Sequence, residues 1–396
     1  MLVVGGTYRE RCHRPSSLEI FGSGLRAAAA LRVLDPEVEL ITAIDPVLKE
    51  EAAAAASGRG LRVAWLDRDE PVGFDYFTPL SSPTIDGREA ELGDAVRAEA
   101  RVALVYGMIE RGPRQIRTET LVLDPQQPRE LSDLNLEGFH FGRLAIVVNA
   151  SEVQALGGSK DVVSNAQSVL QKSRADVVVV KRAAQGALVV TAEGVESIGA
   201  YVSERVWPIG SGDVFAAGFA WGWGEAGMDP VTAARVGSLS ASWWCGSQQL
   251  PIPRSIGRLE TDRTELPPRP VQVYLAGPFF TLGEQWLVEL SWEALKELGA
   301  EVFSPLHDVG PGGPPVAAVD LDGLNRSQSM LAILDGADPG TWFEIGWARK
   351  AGLPVVGYCN PQAREDLKMA EGTDVEVQLD LSTAIYRAIW AGMRVA

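Results

Sequence analysis

Short runs built almost wholly of apolar residues recur along this chain: Leu2–Val4, Val38–Ile44, Val102–Tyr106, Thr120–Leu123, Leu144–Val148, Val177–Lys181 and Ala187–Thr191. A run that is apolar at successive positions, not only at alternate ones, reads as a strand covered on both faces. A parallel sheet layered between helices covers strands in that way. Ala-rich or amphipathic stretches separate several of the runs. The pattern therefore predicts an α/β fold with a mostly parallel sheet and flanking helices. Arg62–Ile85 departs from it, alternating polar and apolar residues and carrying Trp65, Phe74, Tyr76 and Phe77. That segment is expected to form a small antiparallel flap or lid.

With 396 residues, 46% of them hydrophobic, the chain is too long for one ordinary core. The apolar periodicity stops between Pro251 and Pro270, where Pro, Arg, Glu and Thr take over. This stretch is read as a linker, residues 251–270, between a domain at 1–250 and a second at 271–396. In the second domain, strands are expected at Val271–Ala276, Glu301–Phe303, Met330–Leu334 and Pro354–Tyr358. Helices are expected at Thr341–Lys350 and near Ser382–Trp390, and a third places Leu287, Leu290, Ala294 and Leu298 on one face.

A net charge of −16 argues against a nucleic-acid polymer as partner and leaves small anionic ligands possible at local sites. Cys12, Cys245 and Cys359 lie far apart with no CxxC spacing, and only three histidines occur, so neither a disulfide framework nor a His/Cys metal centre is expected. The start of the chain runs directly into an apolar strand without a basic region, and no apolar run approaches about 18 residues. A soluble, cytoplasmic protein without membrane contact is the expectation.

Two segments carry chemistry. In Pro208–Phe219 (PIGSGDVFAAGF), small residues stand immediately before an Ala-rich helix. Glycines there let backbone N–H groups converge on an anion at a helix N-terminus. Asp213 is placed to take a proton from a hydroxyl, or to serve simply as a helix cap. In Asp335–Gly346, Asp338 and Glu344 lie six residues apart across a turn from an apolar strand into a helix. Chemistry at an anomeric carbon needs a carboxylate at that carbon and a proton donor for the departing base. Glu344, Asp338 and Asp320 are the candidate acids, and Tyr274 is placed to orient the nucleophile. The Gly-containing loop Ser304–Gly313 is read as a substrate cover, with His307 as a structural hydrogen-bonder.

The N-terminal segment GSGDVFAAGF resembles the signature of the PfkB, ribokinase-like carbohydrate kinases. Phe21–Gly24 ahead of Ala27–Ala30, Leu123-Asp124-Pro125 and Asn149-Ala150-Ser151-Glu152 resemble further motifs of that family. The resemblance covers roughly residues 1–250 and implies a three-layer ribokinase-like domain with a small lid. It implies ATP and Mg²⁺ as cofactors, with Asp213 as the base that activates the acceptor hydroxyl. Gly210, Ser211 and Gly212 would hold charge on the transferred phosphoryl, Asn149 and Glu152 would act around magnesium and phosphate, and Gly22 and Gly24 would contact substrate. The chain departs from the family at Trp207-Pro208-Ile209, where an Asp-Thr pair is common, and at Leu25-Arg26. It also lacks an evident early acidic sugar contact in Gly6–Glu10, where Glu10 is a candidate substitute.

The C-terminal motifs YLAGPFF, Asp320–Asn325 and Asp338-Pro-Gly-Thr-Trp-Phe-Glu344-Ile-Gly346 resemble the nucleoside 2-deoxyribosyltransferases over roughly 270–395. That resemblance implies a flavodoxin-like or Rossmann-like domain with a five-stranded parallel sheet and no cofactor or metal. It implies Glu344 as nucleophile, positioned by Asp338 and Tyr274, with Asp320 as the acid at the base nitrogen and Asp322 in reserve. Gly277, Pro278 and Phe279 would contact substrate. The expected protein is a bifunctional nucleoside-processing enzyme, a homo-oligomer acting on a nucleoside, nucleotide or pentose. The alternative is a nucleotide-sensing kinase-like module that regulates an N-glycosidase.

Overall fold

The computed structural model describes the chain except for Lys160, 311–315, Ala337, 361–366 and Ala396. Pro311, Gly312 and Gly313 of the expected cover loop thus lie outside the described residues. Two compact units divide the chain. One holds Met1–Arg182, Gly186–Ser203 and Trp207–Thr264; the other holds Ala183–Gln185, Glu204–Val206 and Glu265–Ala396.

The first unit is built on a nine-stranded sheet. Its order is Gly194–Ile198, Ala187–Thr191, Val177–Lys181, Phe139–Asn149, Arg114–Asp124, Val96–Tyr106, Leu2–Val4, Glu39–Ile44 and Arg62–Asp67. All neighbours are parallel except at one edge, where Ala187–Thr191 pairs antiparallel with both Val177–Lys181 and Gly194–Ile198. The inner halves of the three long central strands are buried at successive positions, whereas the outer halves of Val96–Tyr106 and Arg114–Asp124 alternate buried and exposed. The change marks where helices stop covering both faces. Helices Gly22–Leu31, Ser211–Ala220 and Pro230–Ser247 supply Leu25, Phe215, Phe219, Val236 and Leu239 to the core on one face. Helices Ala150–Gly157 and Val162–Ser173 supply Val153, Leu156, Ala166 and Val169 on the other. The result is three layers.

A four-stranded lid sheet runs Ser17–Ile20, Arg9–Cys12, Gly73–Tyr76 and Thr84–Asp86. The expected flap at 62–85 is therefore corrected. Arg62–Asp67 is the edge strand of the main sheet, paired in parallel with Glu39–Ile44, and the lid recruits two strands from before residue 21. An edge strand is half-covered, so it shows the same alternation as a flap. Part of the expected linker is structured: Ile252 and Ile256 are buried in the first unit's core, and Ile252 donates its N–H to the Ala30 carbonyl.

The second unit carries a five-stranded, all-parallel sheet in the order Glu301–Phe303, Gln272–Ala276, Ser329–Ile333, Val355–Tyr358 and Glu376–Gln378. Helix Leu282–Glu297 begins with a capping box between Thr281 and Glu284. Its buried stripe is Val288, Ser291, Ala294 and Leu295, so Leu287 and Leu290 flank the covered face and do not form it. Ser291, buried in that stripe, donates its hydroxyl to the Leu287 carbonyl at 2.7 Å. The last helix, Leu381–Val395, buries ten of its residues, from Ser382 to Met393, on the sheet.

Candidate functional site

Four neighbouring parallel strands of the first unit end at Tyr106, Asp124, Asn149 and Lys181. Carboxyl ends of parallel strands are where open α/β sheets bind ligands. Here Asp124, Asn149, Lys181 and Gly107, the residue after Tyr106, border a cavity of about 290 Å³, together with Gly210, Gly212 and Asp213 from the helix start, Tyr8, and Phe74 and Tyr76 of the lid. Lys181 Nζ donates to Asp124 Oδ2 at 2.6 Å. Burial, opposed by Lys181, pushes the Asp124 carboxyl up to about 7. Its Oδ1 is buried without a partner among the described residues.

Asp213 is fully engaged. Arg26 Nη1 donates to Oδ2 at 2.7 Å, Gln126 Nε2 to Oδ1 at 3.0 Å, and Tyr106 Oη to the backbone carbonyl at 2.7 Å. Burial raises the Asp213 carboxyl above its usual range, against the opposing pull of Arg26. Arg26 also pairs with Glu10, whose other oxygen accepts the Gly22 N–H at 2.9 Å. The guanidinium is 2% exposed and lies near the Phe21 and Trp244 rings, at 4.9 and 5.4 Å. Burial disfavours its charge, but Glu10 and Asp213 together hold it ionised. Gly210 has φ +77°, and a Cβ there would stand 2.2 Å from Arg26 Nε, so the loop closes directly on the guanidinium.

Of the expected residues, Gly22, Asn149, Glu152, Gly210, Gly212 and Asp213 line this cavity. Ser211 and Gly24 are not among its walls. Gly24 instead packs so closely on Gly5 that a Cβ would meet its carbonyl oxygen at 2.5 Å. Asn149 and Glu152 form a reciprocal capping box for Ala150–Gly157, and Glu152 Oε1 accepts the Gln127 N–H at 3.0 Å. Gln126 and Tyr106 were missed by sequence reasoning. Lys181 was read only as a strand end, although a lysine closing a run of four valines is a signal that could have marked it.

In the second unit, Tyr274 is fully buried in the second strand of the sheet order, and its Oη donates to Glu344 Oε1 at 2.7 Å. Asp338 caps helix Pro339–Lys350, its Oδ2 accepting from Thr341 N at 2.7 Å and Thr341 Oγ1 at 3.0 Å. That cap fixes the helix start and so places Glu344 in its second turn. Burial, aided by the charges of Asp320 and Asp338 and opposed by the Tyr274 hydrogen bond, pushes Glu344 up to about 7. Tyr274 is raised too, by burial and then by Glu344. Asp320, on Val316–Arg326, is raised by burial, and its Oδ1 is buried without a partner among the described residues. Asp322 is 68% exposed and pairs with Arg326 at 3.2 Å, away from this group of interacting acids. Gly277, Pro278 and Phe279 follow the Tyr274 strand, with Gly277 against Ile333 and the Phe279 carbonyl held by Gln285 Nε2 at 3.0 Å. His307 stacks on Trp292 at 4.3 Å and bonds Ser304 and Glu289.

The family model of the pfkB carbohydrate kinases matches residues 144–254, and that of the nucleoside 2-deoxyribosyltransferases matches residues 273–380. The two matches follow one another in one chain, as in a fusion. The first domain has the three-layer α/β architecture with a small lid that the sequence led us to expect, and the second has the expected five-stranded parallel sheet. Among solved structures, the pfkB-type part is similar to phosphofructokinase-2 from Escherichia coli in complex with potassium. That match is 15% identical, covers 66% of this chain and 97% of the other, and has a TM-score of 0.48. A nucleoside kinase of Burkholderia thailandensis in complex with inosine is 19% identical, with 63% and 92% covered and a TM-score of 0.46. A pyrophosphate-dependent kinase in the ribokinase family, complexed with a pyrophosphate analogue and myo-inositol, is 15% identical, with 65% and 98% covered and a TM-score of 0.46. No curated protein matches the chain. Among the described residues, no helix is long and apolar enough to cross a membrane.

Proposed function

We propose that the chain is a bifunctional nucleoside-processing enzyme. Its C-terminal domain breaks an N-glycosidic bond through Glu344, and its N-terminal domain phosphorylates a sugar or nucleoside hydroxyl. The observation that carries the first half is the bond from Tyr274 Oη to Glu344 Oε1, with Asp320, whose Oδ1 has no partner among the described residues, close enough for its charge to raise Glu344. Ionised Glu344 attacks C1′ as the bond to the base nitrogen breaks. The Asp320 carboxyl gives its proton to that nitrogen. Water or a second base then displaces Glu344 from C1′ and gives up its proton to the Asp320 carboxylate, so that hydrolysis or base exchange restores both the ionised Glu344 and the protonated Asp320. Asp338 acts by fixing the helix that presents Glu344. Base release from ribo- and deoxyribonucleosides and their 5′-monophosphates, followed chromatographically with and without added free base, tests this. A Glu344→Ala protein that still released base would remove the proposal.

For the second half, the residues fit a magnesium-bound nucleotide. Among the described residues no three acids, histidines or cysteines gather into a metal site, but Asp124 Oδ1 is an orphaned acceptor beside Lys181. One or two carboxylates completed by phosphate oxygens is the usual way Mg²⁺ is held. Bound ATP supplies the phosphoryl group. Lys181 and the backbone of Gly210–Gly212 draw its phosphates in, Asn149 and Glu152 hold the facing wall, and Asp213 accepts the proton of the acceptor hydroxyl. An Asp213→Ala protein that phosphorylated at the normal rate would end this half.

One observation favours a second reading of the N-terminal domain. Both Asp213 oxygens already accept hydrogen bonds, one of them from Arg26. In this reading the domain binds a nucleotide without transferring phosphate and regulates the glycosidase. Acceptor-dependent consumption of ATP by the full chain carrying Glu344→Gln would exclude it.

A further inference from the structure

The lid and the body of the N-terminal domain enclose a second chamber, of about 150 Å³. Glu10, Arg26 and Tyr76 line both cavities and form the wall between them, whereas Asp124, Lys181 and Asp213 line only the first. The second chamber therefore lies apart from the groups that phosphoryl transfer needs. Phe21, Tyr76, Trp207 and Trp244 give it aromatic walls. Arg59 stands with Cζ 4.8 Å over the Phe21 ring, and its one side-chain hydrogen bond among the described residues is to the Ala55 carbonyl. Neither Arg59 nor the exposed Arg11 forms an ion pair among the described residues, and both line the chamber. Of the two acids at its walls, Glu10 is already held by Arg26, and Glu19 is exposed on the lid. Three arginines against two acids make a locally positive place in a chain of net charge −16.

Ligand pockets for drug-sized molecules run to about 300 Å³ and above. A chamber half that size takes one ring system and leaves whatever is attached to it at the mouth. Aromatic walls stack on a planar ring, and unpaired guanidinium groups bind oxyanions. We propose that this chamber binds the base of a nucleoside 5′-monophosphate, with the phosphate on Arg59 and Arg11. The choice of a nucleobase as the ring rests on the nucleoside reading of the C-terminal domain. The occupant is bound and not turned over, because Asp213 and the strand-end groups face the other cavity.

Calorimetric titration of the full-length protein with AMP, adenosine and inorganic phosphate tests the proposal. AMP is expected to saturate a site that Arg59→Gln weakens about tenfold or more, the loss of a charge-assisted contact, while adenosine changes less than about twofold. Trp207→Ala weakens both, and inorganic phosphate alone does not saturate. Should Trp207→Ala fail to fold by circular dichroism, Arg59→Gln, on a residue at a helix end, decides the matter alone. AMP affinity unchanged by Arg59→Gln, or no saturable AMP binding to the parent protein, overturns the inference. The glycosidic reading stands on a separate readout. Base release that needs Glu344 without AMP binding sinks the chamber alone, and AMP binding with base release indifferent to Glu344 sinks the glycosidic reading alone.

Discussion

Replacing Tyr274 by Phe removes one oxygen, and with it the 2.7 Å hydrogen bond to Glu344 Oε1. That bond favours the ionised carboxylate and opposes the burial that raises Glu344 to about 7. A hydrogen bond to a charged group contributes about 1.5–3 kcal/mol. One pKa unit corresponds to about 1.4 kcal/mol, so its loss moves the Glu344 midpoint up by about one to two units, to roughly 8–9. A nucleophile must be ionised, so at pH 7 the active fraction falls about 5- to 50-fold and returns as the pH is raised. The assay is the pH profile of base release for wild type and Tyr274→Phe. Wild-type release should rise with pH through about 7, and that of the variant one to two units later. A variant whose midpoint stayed in place, or whose activity was reduced equally at every pH, would refute the argument that Tyr274 acts by holding the charge on Glu344.

Glu344→Gln should raise the melting temperature at pH 8. The wild-type carboxyl titrates near 4.5 when unfolded and near 7 when folded, so wild-type stability falls across that window, and the variant's advantage should vanish below it. Arg26→Met breaks a buried pair and leaves Glu10 and Asp213 uncompensated, at a cost of about 3–5 kcal/mol in urea unfolding. Gly210→Ala meets both a positive φ and the Arg26 side chain, and should cost at least about 1 kcal/mol by the same measurement, together with a loss of any phosphoryl transfer.

Val177–Lys181 and Leu144–Val148 were legible because strands covered on both faces carry apolar side chains at every position, a signal local to the strand. The edge strand Arg62–Asp67 was misassigned for the complementary reason: one covered face gives alternation, and alternation does not say which sheet provides the cover. In the C-terminal domain, Tyr274, Asp338 and Glu344 were legible as a motif, and Asp338 and Glu344 act within one helix start. In the N-terminal domain the decisive contact joins Arg26 to Asp213 across 187 positions. No periodicity or turn chemistry announces such a pair. Arg26 could be noticed only as an unusual residue after a glycine motif, and Gln126 not at all.

Glu10 belongs to a lid strand and Arg26 to a helix of the body, so their ion pair is a latch across the mouth of the domain. Raising the lid separates two charges that are shielded from water. A ligand that enters beneath the lid must wait for that separation, so its observed association rate should level off with concentration at the rate of unlatching. Because the pair is buried, that plateau should respond weakly to added salt, unlike an encounter steered by exposed charge.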